Sequence, residues 1–290
     1  MSKSNKLFSL IAGLVLAMSL LLTGCGGGGG STTGNAAADS GSGAAAPAAS
    51  EIRTVTPGVL TVGSDCDYPP FIEMNGEQPQ GFEYDLLSAI ATEMGYELEY
   101  LPPQNFDTLL ASVASETKMD VGCSSFTITD DRKKLIDFCT PYFDSNQAVV
   151  ALIDSSYTSA MDFNGKVVGA QSGTTGADWV RENLTDSGTT LKEYNQTSEV
   201  MAALVAGDIE GAFYDEPVAA EWASTLYTNT HIVESIPTGE QYGFAVSKGN
   251  PELLEAINDT LVIIKNNGTF DRIFLSYFPD LTPPSLGANG

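Results

Sequence analysis

The chain has 290 residues, of which 37 are acidic and 13 basic, and its formal net charge is −24. It offers no basic patch that could neutralise phosphates, which argues against nucleic acid as a partner. The single histidine, His231, excludes most histidine-based metal sites and nucleophile systems, and we expect it to be an ordinary strand residue. No P-loop motif occurs, and we predict neither a metal nor a cofactor.

The N-terminal residues have the pattern of a secretory signal. Lys3 and Lys6 precede an almost unbroken apolar run over 7–22, shorter than the about 20 apolar residues that a membrane-spanning helix needs. The run ends at Leu22-Thr23-Gly24-Cys25, which resembles the lipobox of bacterial lipoproteins. This resemblance implies a lipoprotein signal peptide over 1–24, cut before Cys25, whose sulfur then carries a diacylglycerol. The alternative is a plain signal peptide followed by a chance cysteine.

A segment dominated by Gly, Ala, Ser and Thr follows over 25–53. It cannot bury enough apolar surface to offset the entropy lost on ordering, so we predict a flexible linker with a reach of about 25–30 Å. Two or more acyl chains are enough for stable anchoring. A lipidated Cys25 would therefore tether the protein to the extracytoplasmic face of a bacterial cell membrane without crossing it.

Strands and helices alternate through the rest of the chain, which predicts a doubly wound α/β architecture. Apolar residues at helical spacing indicate a helix over 82–94, and Gly95 ends it. The other predicted strands are 58–63, 98–101, 120–123, 165–170, 191–194 and 211–214. The other predicted helices are 106–113, 173–181, 201–205, 218–222, 251–265 and 270–277.

The length of this part would suit one large domain or two smaller lobes, and the repeated pattern favours two. Strand-like segments at 147–153 and 242–247 are the predicted crossings between lobes. We predict a first lobe over 54–146 plus 243–280, a second lobe over 147–242, and a disordered tail over 281–290. Two such lobes form a clamshell, whose cleft lies at the carboxyl ends of the strands.

Polar side chains follow several of these strands and suit a zwitterionic amino acid. Arg132 is the expected carboxylate partner, aided by donors from Thr127 and from Thr174-Thr175 at a helix start. Asp215 is the expected ammonium partner, with Ser125 as a further acceptor. Because these charges come from different lobes, a bound zwitterion would hold the clamshell closed.

The ligand's side chain has its own predicted neighbours. Tyr68 and Phe106 offer apolar walls, and Asp65 would favour a ligand with a distal donor. Each of these residues also has a structural alternative: Tyr68 as a turn aromatic, Phe106 as core, Arg132 in a surface pair with Asp130 or Asp131, and Asp215 as a helix N-cap.

Many motifs between about residues 59 and 279 resemble the polar amino acid family of ABC-transporter solute-binding proteins, bacterial family 3. The most specific are Val62-Gly63-Ser64-Asp65, Tyr68-Pro69-Pro70-Phe71, Gly81-Phe82-Glu83-Tyr84-Asp85-Leu86, Thr127-Ile128-Thr129-Asp130-Asp131-Arg132, Asp215-Glu216-Pro217 and Tyr242-Gly243-Phe244-Ala245-Val246. The resemblance implies a periplasmic-binding-protein-like clamshell of type II with two hinge crossings. It also implies ligand contacts at Asp65, Tyr68, Phe106, Ser124, Ser125, Thr127, Arg132, Thr175 and Asp215. The Ser124-Ser125 pair resembles the branch that binds cationic amino acids.

The resemblance implies a monomeric, non-catalytic receptor that delivers an amino acid to an ABC permease and its ATPase. One alternative is an enzyme of the same fold with dehydratase-like chemistry on a small carboxylate. Another is a sensory or adhesive surface lipoprotein. Cys66, Cys123 and Cys139 depart from the usual family pattern, and at most one disulfide can form among them.

Overall fold

A computed structural model describes residues 52–286. The predicted signal peptide, Cys25, nearly all of the predicted linker and residues 287–290 lie outside the described residues. Elements are numbered along the chain. The first part contains β1 (Val59–Gly63), β2 (Asp67–Tyr68), β3 (Ile72–Asn75), β4 (Gln78–Gln80), α1 (Phe82–Met94), β5 (Glu97–Tyr100), α2 (Phe106–Ala114), β6 (Val121–Gly122), α3 (Asp130–Leu135) and β7 (Ile136–Phe138).

The second part begins with a long strand and ends with two helices. It contains β8 (Phe143–Leu152), β9 (Val167–Gln171), α4 (Thr175–Asn183), β10 (Thr190–Tyr194), α5 (Thr197–Ala206), β11 (Gly211–Asp215), α6 (Glu216–Ser224), β12 (Thr230–Tyr242), β13 (Ala245–Ser247), α7 (Pro251–Asn266) and α8 (Thr269–Tyr277). Two 3₁₀ helices, Ala160–Phe163 and Thr185–Ser187, flank β9 and α4.

Two five-stranded sheets share one topology. The first has the strand order β5-β1-β6-β13-β7 and the second the order β10-β9-β11-β8-β12. In each sheet the first three strands are parallel, the fourth runs antiparallel to them, and the fifth pairs antiparallel with the fourth. The first sheet with its packed helices α1, α2, α3, α7 and α8 is called the first lobe here. The second sheet with α4, α5 and α6 is the second lobe.

The chain passes between the lobes twice, directly before β8 and directly after β12. The two crossings run side by side: Tyr142 N donates to Tyr242 O at 3.1 Å, and Cys139 N donates to Phe244 O at 3.0 Å. The result is the two-lobe type II clamshell that the family resemblance implies. The pairing of β8 with β12 begins at Phe143, so the first crossing lies before that residue rather than at the predicted boundary of 146 and 147.

The predicted main strands and helices form, with shifts of a few residues at their ends. In α1 the apolar positions Phe82, Leu86, Leu87 and Ile90 are fully buried, as the helical spacing requires. Gly95 ends the helix at a φ of 76°, a left-handed conformation that costs glycine little.

Several features were not predicted from the sequence, among them most of β12 and the two 3₁₀ helices. The small sheet β2-β3-β4 and the short strand β7 were missed. Leu286, in the predicted disordered tail, is 3% exposed and joins the hydrophobic core of the first lobe. The described part of that tail is therefore partly packed.

Candidate ligand-binding site

All ten predicted ligand residues line one cavity between the lobes. The cavity contains about 290 Å³ of space outside the protein atoms, open solvent included. The lining residues are Asp65, Tyr68, Phe106, Ser124, Ser125, Thr127, Arg132, Thr174, Thr175 and Asp215, together with Gln171. Gln171 was not predicted; it ends β9, at the same edge of the second sheet as Asp215 at the end of β11.

The loop after β6 brings two serines to the cavity. Ser124 Oγ donates to Asp65 Oδ1 at 2.9 Å and accepts from Asp65 N at 3.0 Å. From the second lobe, Gln171 Nε2 donates to Asp65 Oδ2 at 3.0 Å. Burial raises the pKa of Asp65 above its ordinary value, and the bonds from Gln171 and Ser124 oppose that rise. Asp65 is thus a buried acceptor that a distal donor of a ligand could reach.

The Glu83 carboxylate supports this loop through hydrogen bonds. Its Oε1 accepts from Ser125 N at 2.9 Å and from Ser125 Oγ at 3.3 Å, and it also accepts from the Tyr142 hydroxyl. Ser125 has a φ of 47°, a left-handed conformation that is uncommon for a side-chain-bearing residue. The bonds to Glu83 support that conformation and aim the loop at the cavity.

Arg132 lines the cleft and contacts both lobes. Its Nη1 donates to Thr127 O at 2.8 Å and its Nη2 to Gly173 O at 2.9 Å. The guanidinium carbon lies 5.6 Å from the centroid of the Phe106 ring and 5.9 Å from that of Phe126. An arginine has five N–H donors, so these two bonds leave donors for a carboxylate. Of its acidic neighbours in sequence, Asp131 pairs with Lys134 instead.

The start of α4 lines the same part of the cleft as Arg132. Thr174 caps the helix: its hydroxyl accepts from Ala177 N at 3.2 Å and donates to Gln171 O at 2.7 Å. Its side chain is therefore committed to the cap, and the unpaired backbone N–H groups of the first turn remain for an anion. Gly173 has a φ of 77°, and a Cβ there would lie 3.1 Å from the Asp107 Cα across the cleft. Glycine thus permits the lobes to approach closely.

Asp215 ends β11 opposite these donors. Its carboxylate accepts from Gln147 Nε2 and from the Tyr242 hydroxyl, and its backbone N donates to the Tyr68 hydroxyl at 3.4 Å. Burial raises the pKa of Asp215 to about 7; the nearby charge of Glu240 adds to the rise. It stands at the N-cap position of α6 but makes no capping bond with its side chain, so the capping alternative does not explain it.

Sequence reasoning missed five polar residues around the site: Glu83, Gln147, Gln171, Glu240 and Tyr242. Glu83 and Tyr242 stand within the family motifs quoted above, which was the available signal. Gln147 begins a predicted strand-like segment and Gln171 directly follows a predicted strand, and alternation alone does not tell which of these side chains reach the cleft. Glu240 follows a strand irregularity that no sequence pattern indicated.

The three cysteines of the described region, Cys66, Cys123 and Cys139, are buried free thiols. Burial raises the pKa of Cys66 to about 11 and that of Cys139 to about 12, so neither is an activated thiolate. Within residues 52–286 no group of three or more acidic, histidine or cysteine side chains could hold a metal ion. In that same region no helix is long and apolar enough to span a membrane.

A family model described as bacterial extracellular solute-binding proteins, family 3, matches residues 60–280. The chain belongs to this family. It is 30% identical over 227 residues to the L-cystine-binding protein TcyJ of Escherichia coli K12, covering 76% of this chain and 83% of that protein. It is 31% identical over 226 residues to the ABC transporter arginine-binding protein 1 of the same strain, covering 76% and 90%.

Solved structures of this fold also resemble the chain. An ancestral arginine-binding protein bound to arginine is 36% identical, with a TM-score of 0.72, covering 76% of this chain and 98% of that one. An ancestral amino-acid-binding protein described as a precursor of cyclohexadienyl dehydratase is 32% identical, with a TM-score of 0.70, covering 76% and 96%. The relatives named here are binding proteins, although that precursor connects the fold to an enzyme.

Proposed function

We propose that the protein is a lipid-anchored, extracytoplasmic receptor that binds a polar L-amino acid, with cationic side chains favoured, and delivers it to an ABC permease. The observation that carries this proposal is that Arg132 and Asp215, from opposite lobes, line one cavity. Carboxylate and ammonium groups taken out of water each need a charged partner. An α-amino acid matches both.

The cationic preference rests on Asp65 and its surroundings. Its carboxylate is 3% exposed and is bonded only by neutral groups, among them Ser124 and Gln171. A buried carboxylate without a cation is expensive, and a distal ammonium or guanidinium of a ligand would provide one. Tyr68 and Phe106 would cover the aliphatic part of such a side chain.

Two hydrogen bonds join the lobes across the cleft, and they can form only when the cleft is closed. Arg132 of the first lobe reaches Gly173 of the second, and Gln171 of the second reaches Asp65 of the first. A ligand held by Arg132 and Asp215 would add to these cross-lobe bonds and shift the protein toward the closed form. A permease and its ATPase would then recognise that form, with the protein acting as a monomer.

A thermal-shift screen of the purified mature domain against the proteinogenic amino acids, arginine, lysine and histidine first, tests the proposal. A ligand at 100 times its Kd stabilises by about 2.7 kcal/mol. No melting shift with any amino acid would contradict the proposal. A larger shift with glutamine or cystine would contradict only the cationic preference. Mass analysis of released ligand tests the dehydratase alternative, because a chemically changed ligand would indicate an enzyme.

The anchor is tested separately with Cys25→Ala. We expect this variant to leave the membrane fraction while its ligand affinity stays unchanged, because lipidation needs the Cys25 sulfur and the linker separates that residue from the cleft. Retention of the unlipidated variant in the membrane fraction would contradict the lipid anchor. A neighbouring permease gene would favour transport over the sensory or adhesive alternative.

A further inference from the structure

An irregularity near the end of β12 turns a carboxylate toward the cleft. Ile236 pairs with Gln147 of β8 and Glu240 pairs with Ser145, so the segment 237–239 lies opposite Asn146 alone. Gly239 in this segment has a φ of 65°, and its N donates to Asn146 Oδ1 at 3.2 Å. Bulges of this kind re-aim the side chains that follow them.

The Glu240 carboxylate connects the two lobes through hydroxyl groups. Its Oε2 accepts from Thr127 Oγ1 of the first lobe at 2.7 Å and from Thr175 Oγ1 of the second at 2.9 Å. A threonine hydroxyl has one proton, whereas an ionised carboxylate has none. Both hydroxyls therefore donate to Glu240, and each can only accept from any further neighbour.

Acceptors outnumber donors in this part of the cleft. The Gln147 side-chain nitrogen has two N–H groups, yet it lies 3.1 and 3.2 Å from the two Glu240 oxygens and 3.1 Å from Thr175 Oγ1, and it bonds Asp215 as well. An ammonium group brings three donors and a positive charge. A carboxylate brings only acceptors and more negative charge.

We propose that Glu240 is a positioning residue that fixes the hydroxyls of Thr127 and Thr175 as acceptors and thereby directs them to the ligand's ammonium group instead of its carboxylate. The inference rests on the proposed function, since it concerns how an amino acid lies in this cleft. The carboxylate is then left to Arg132 and to the backbone N–H groups at the start of α4. The site should tolerate loss of the ligand's carboxylate better than loss of its ammonium.

Calorimetry on the mature domain with three related ligands tests this orientation. The ligands are arginine, agmatine, which lacks the α-carboxylate, and 5-guanidinopentanoate, which lacks the α-ammonium. The unmodified protein should bind agmatine more tightly than 5-guanidinopentanoate. Glu240→Gln and Glu240→Ala should each lower that affinity ratio by about tenfold, because the released hydroxyl protons and the lost negative charge favour a carboxylate. Weak analogues are also measured by competition with bound arginine.

Asp144→Asn is the matched control. Asp144 lies on β8, is exposed, and accepts from Gln241 Nε2 at 2.7 Å, so its removal changes net charge equally without touching the cleft. Its affinity ratio should stay within twofold of that of the unmodified protein. An equal change in the control would attribute the effect to net charge and overturn the inference.

Three further outcomes are decisive. Uniform weakening of all three ligands in both Glu240 variants would show a merely structural role and overturn the inference. An affinity ratio within twofold of the unmodified protein in both variants would do the same. No binding of arginine by the unmodified protein would overturn the proposed cationic receptor itself, and it differs from the other outcomes because it needs no variant.

Discussion

Two buried carboxylates, Glu83 behind the serine loop and Asp215 at the end of β11, have similar acid strengths and different surroundings. Burial raises the pKa of each to about 7. The bonding partners of Glu83 are neutral groups of its own lobe or of the adjoining crossing: Ser125, Tyr142 and Cys123. Asp215 has Glu240 as a like-charged neighbour and lines the cleft.

A raised pKa does not by itself identify a ligand-binding carboxylate, since Glu83 and Asp215 share it. Glu83 is fully buried, and its acceptor capacity is used by donors of the protein. Asp215 faces a cavity that also holds the positive charge of Arg132. We therefore expect a ligand-binding carboxylate to be distinguished by its position in the cleft and by the charges around it, and the following variants test that expectation.

Removal of either charge from the cleft should have the largest effect. Arg132→Ala leaves the ligand's carboxylate without its cation, and Asp215→Ala does the same to the ammonium. Loss of one member of a buried, hydrogen-bonded charge pair costs roughly 2–5 kcal/mol, or about 30- to 5,000-fold in affinity. Calorimetry with the amino acid found in the screen measures this loss.

Small-angle scattering provides a second measurement on the same variants. With ligand present, both should have a larger radius of gyration than the unmodified protein, because the pairing that holds the lobes together is lost. Affinity within threefold of the unmodified protein in either variant would show that the ligand lies elsewhere in the cleft.

Glu83→Ala should mainly reduce stability. It leaves the buried Ser125 N–H and the Tyr142 hydroxyl without an acceptor, and an unsatisfied buried donor costs about 1–3 kcal/mol. The melting temperature should therefore fall by about 2–12 °C. Glu83→Gln keeps an acceptor oxygen and should lose less. Equal melting temperatures for the alanine variant and the unmodified protein would contradict the supporting role of Glu83.

The sequence predicted one half of this comparison better than the other. Strand ends and helix starts can be located from periodicity, so Arg132, Asp215 and the serine loop were predicted to meet at one cleft, and they line one cavity. The partner of the loop could not be found in this way, because Glu83 is distant from Ser125 in the chain and approaches it only through packing of α1.

The contacts of Glu240 in the cleft could not be predicted from sequence patterns either. Glu240 reaches Thr127 and Thr175 only because the pairing of β12 with β8 changes register, and register depends on the partner strand. The sheet β2-β3-β4 was missed since its strands are too short for alternation to be visible. Long amphipathic elements were predictable, and features created by tertiary pairing were not.

Both carboxylates should make the stability of the ligand-free domain fall as pH rises toward 7. Between its ordinary pKa of 4.5 and about 7, Glu83 keeps its proton in the folded protein and loses it in the unfolded chain. The folded state then binds more protons, so the stability of the ligand-free domain falls as pH rises through this range. Asp215 contributes in the same direction to stability between its ordinary 3.8 and about 7.

Binding should respond to pH with the opposite sign. An ammonium favours ionised Asp215, so affinity should be full above about pH 7 and fall by up to about tenfold per pH unit below it. Asp215→Asn should flatten this binding profile, and Glu83→Gln should leave it unchanged while flattening part of the stability profile. Calorimetry and thermal melts from pH 5 to 8 measure both. A flattened binding profile in Glu83→Gln would contradict the division of roles.

Removal of the Tyr68 hydroxyl should have the smallest effect. This hydroxyl bonds Asp215 and opposes the rise of its pKa, while the ring contacts Phe71 at a centroid distance of 6.3 Å. Tyr68→Phe removes one hydrogen bond, worth about 0.5–1.5 kcal/mol, and retains the ring. Tyr68→Ala also removes the apolar wall and should cost more, on the order of 1–3 kcal/mol. If the phenylalanine variant binds as weakly as the alanine variant in calorimetry, the hydroxyl rather than the ring carries the contribution of Tyr68.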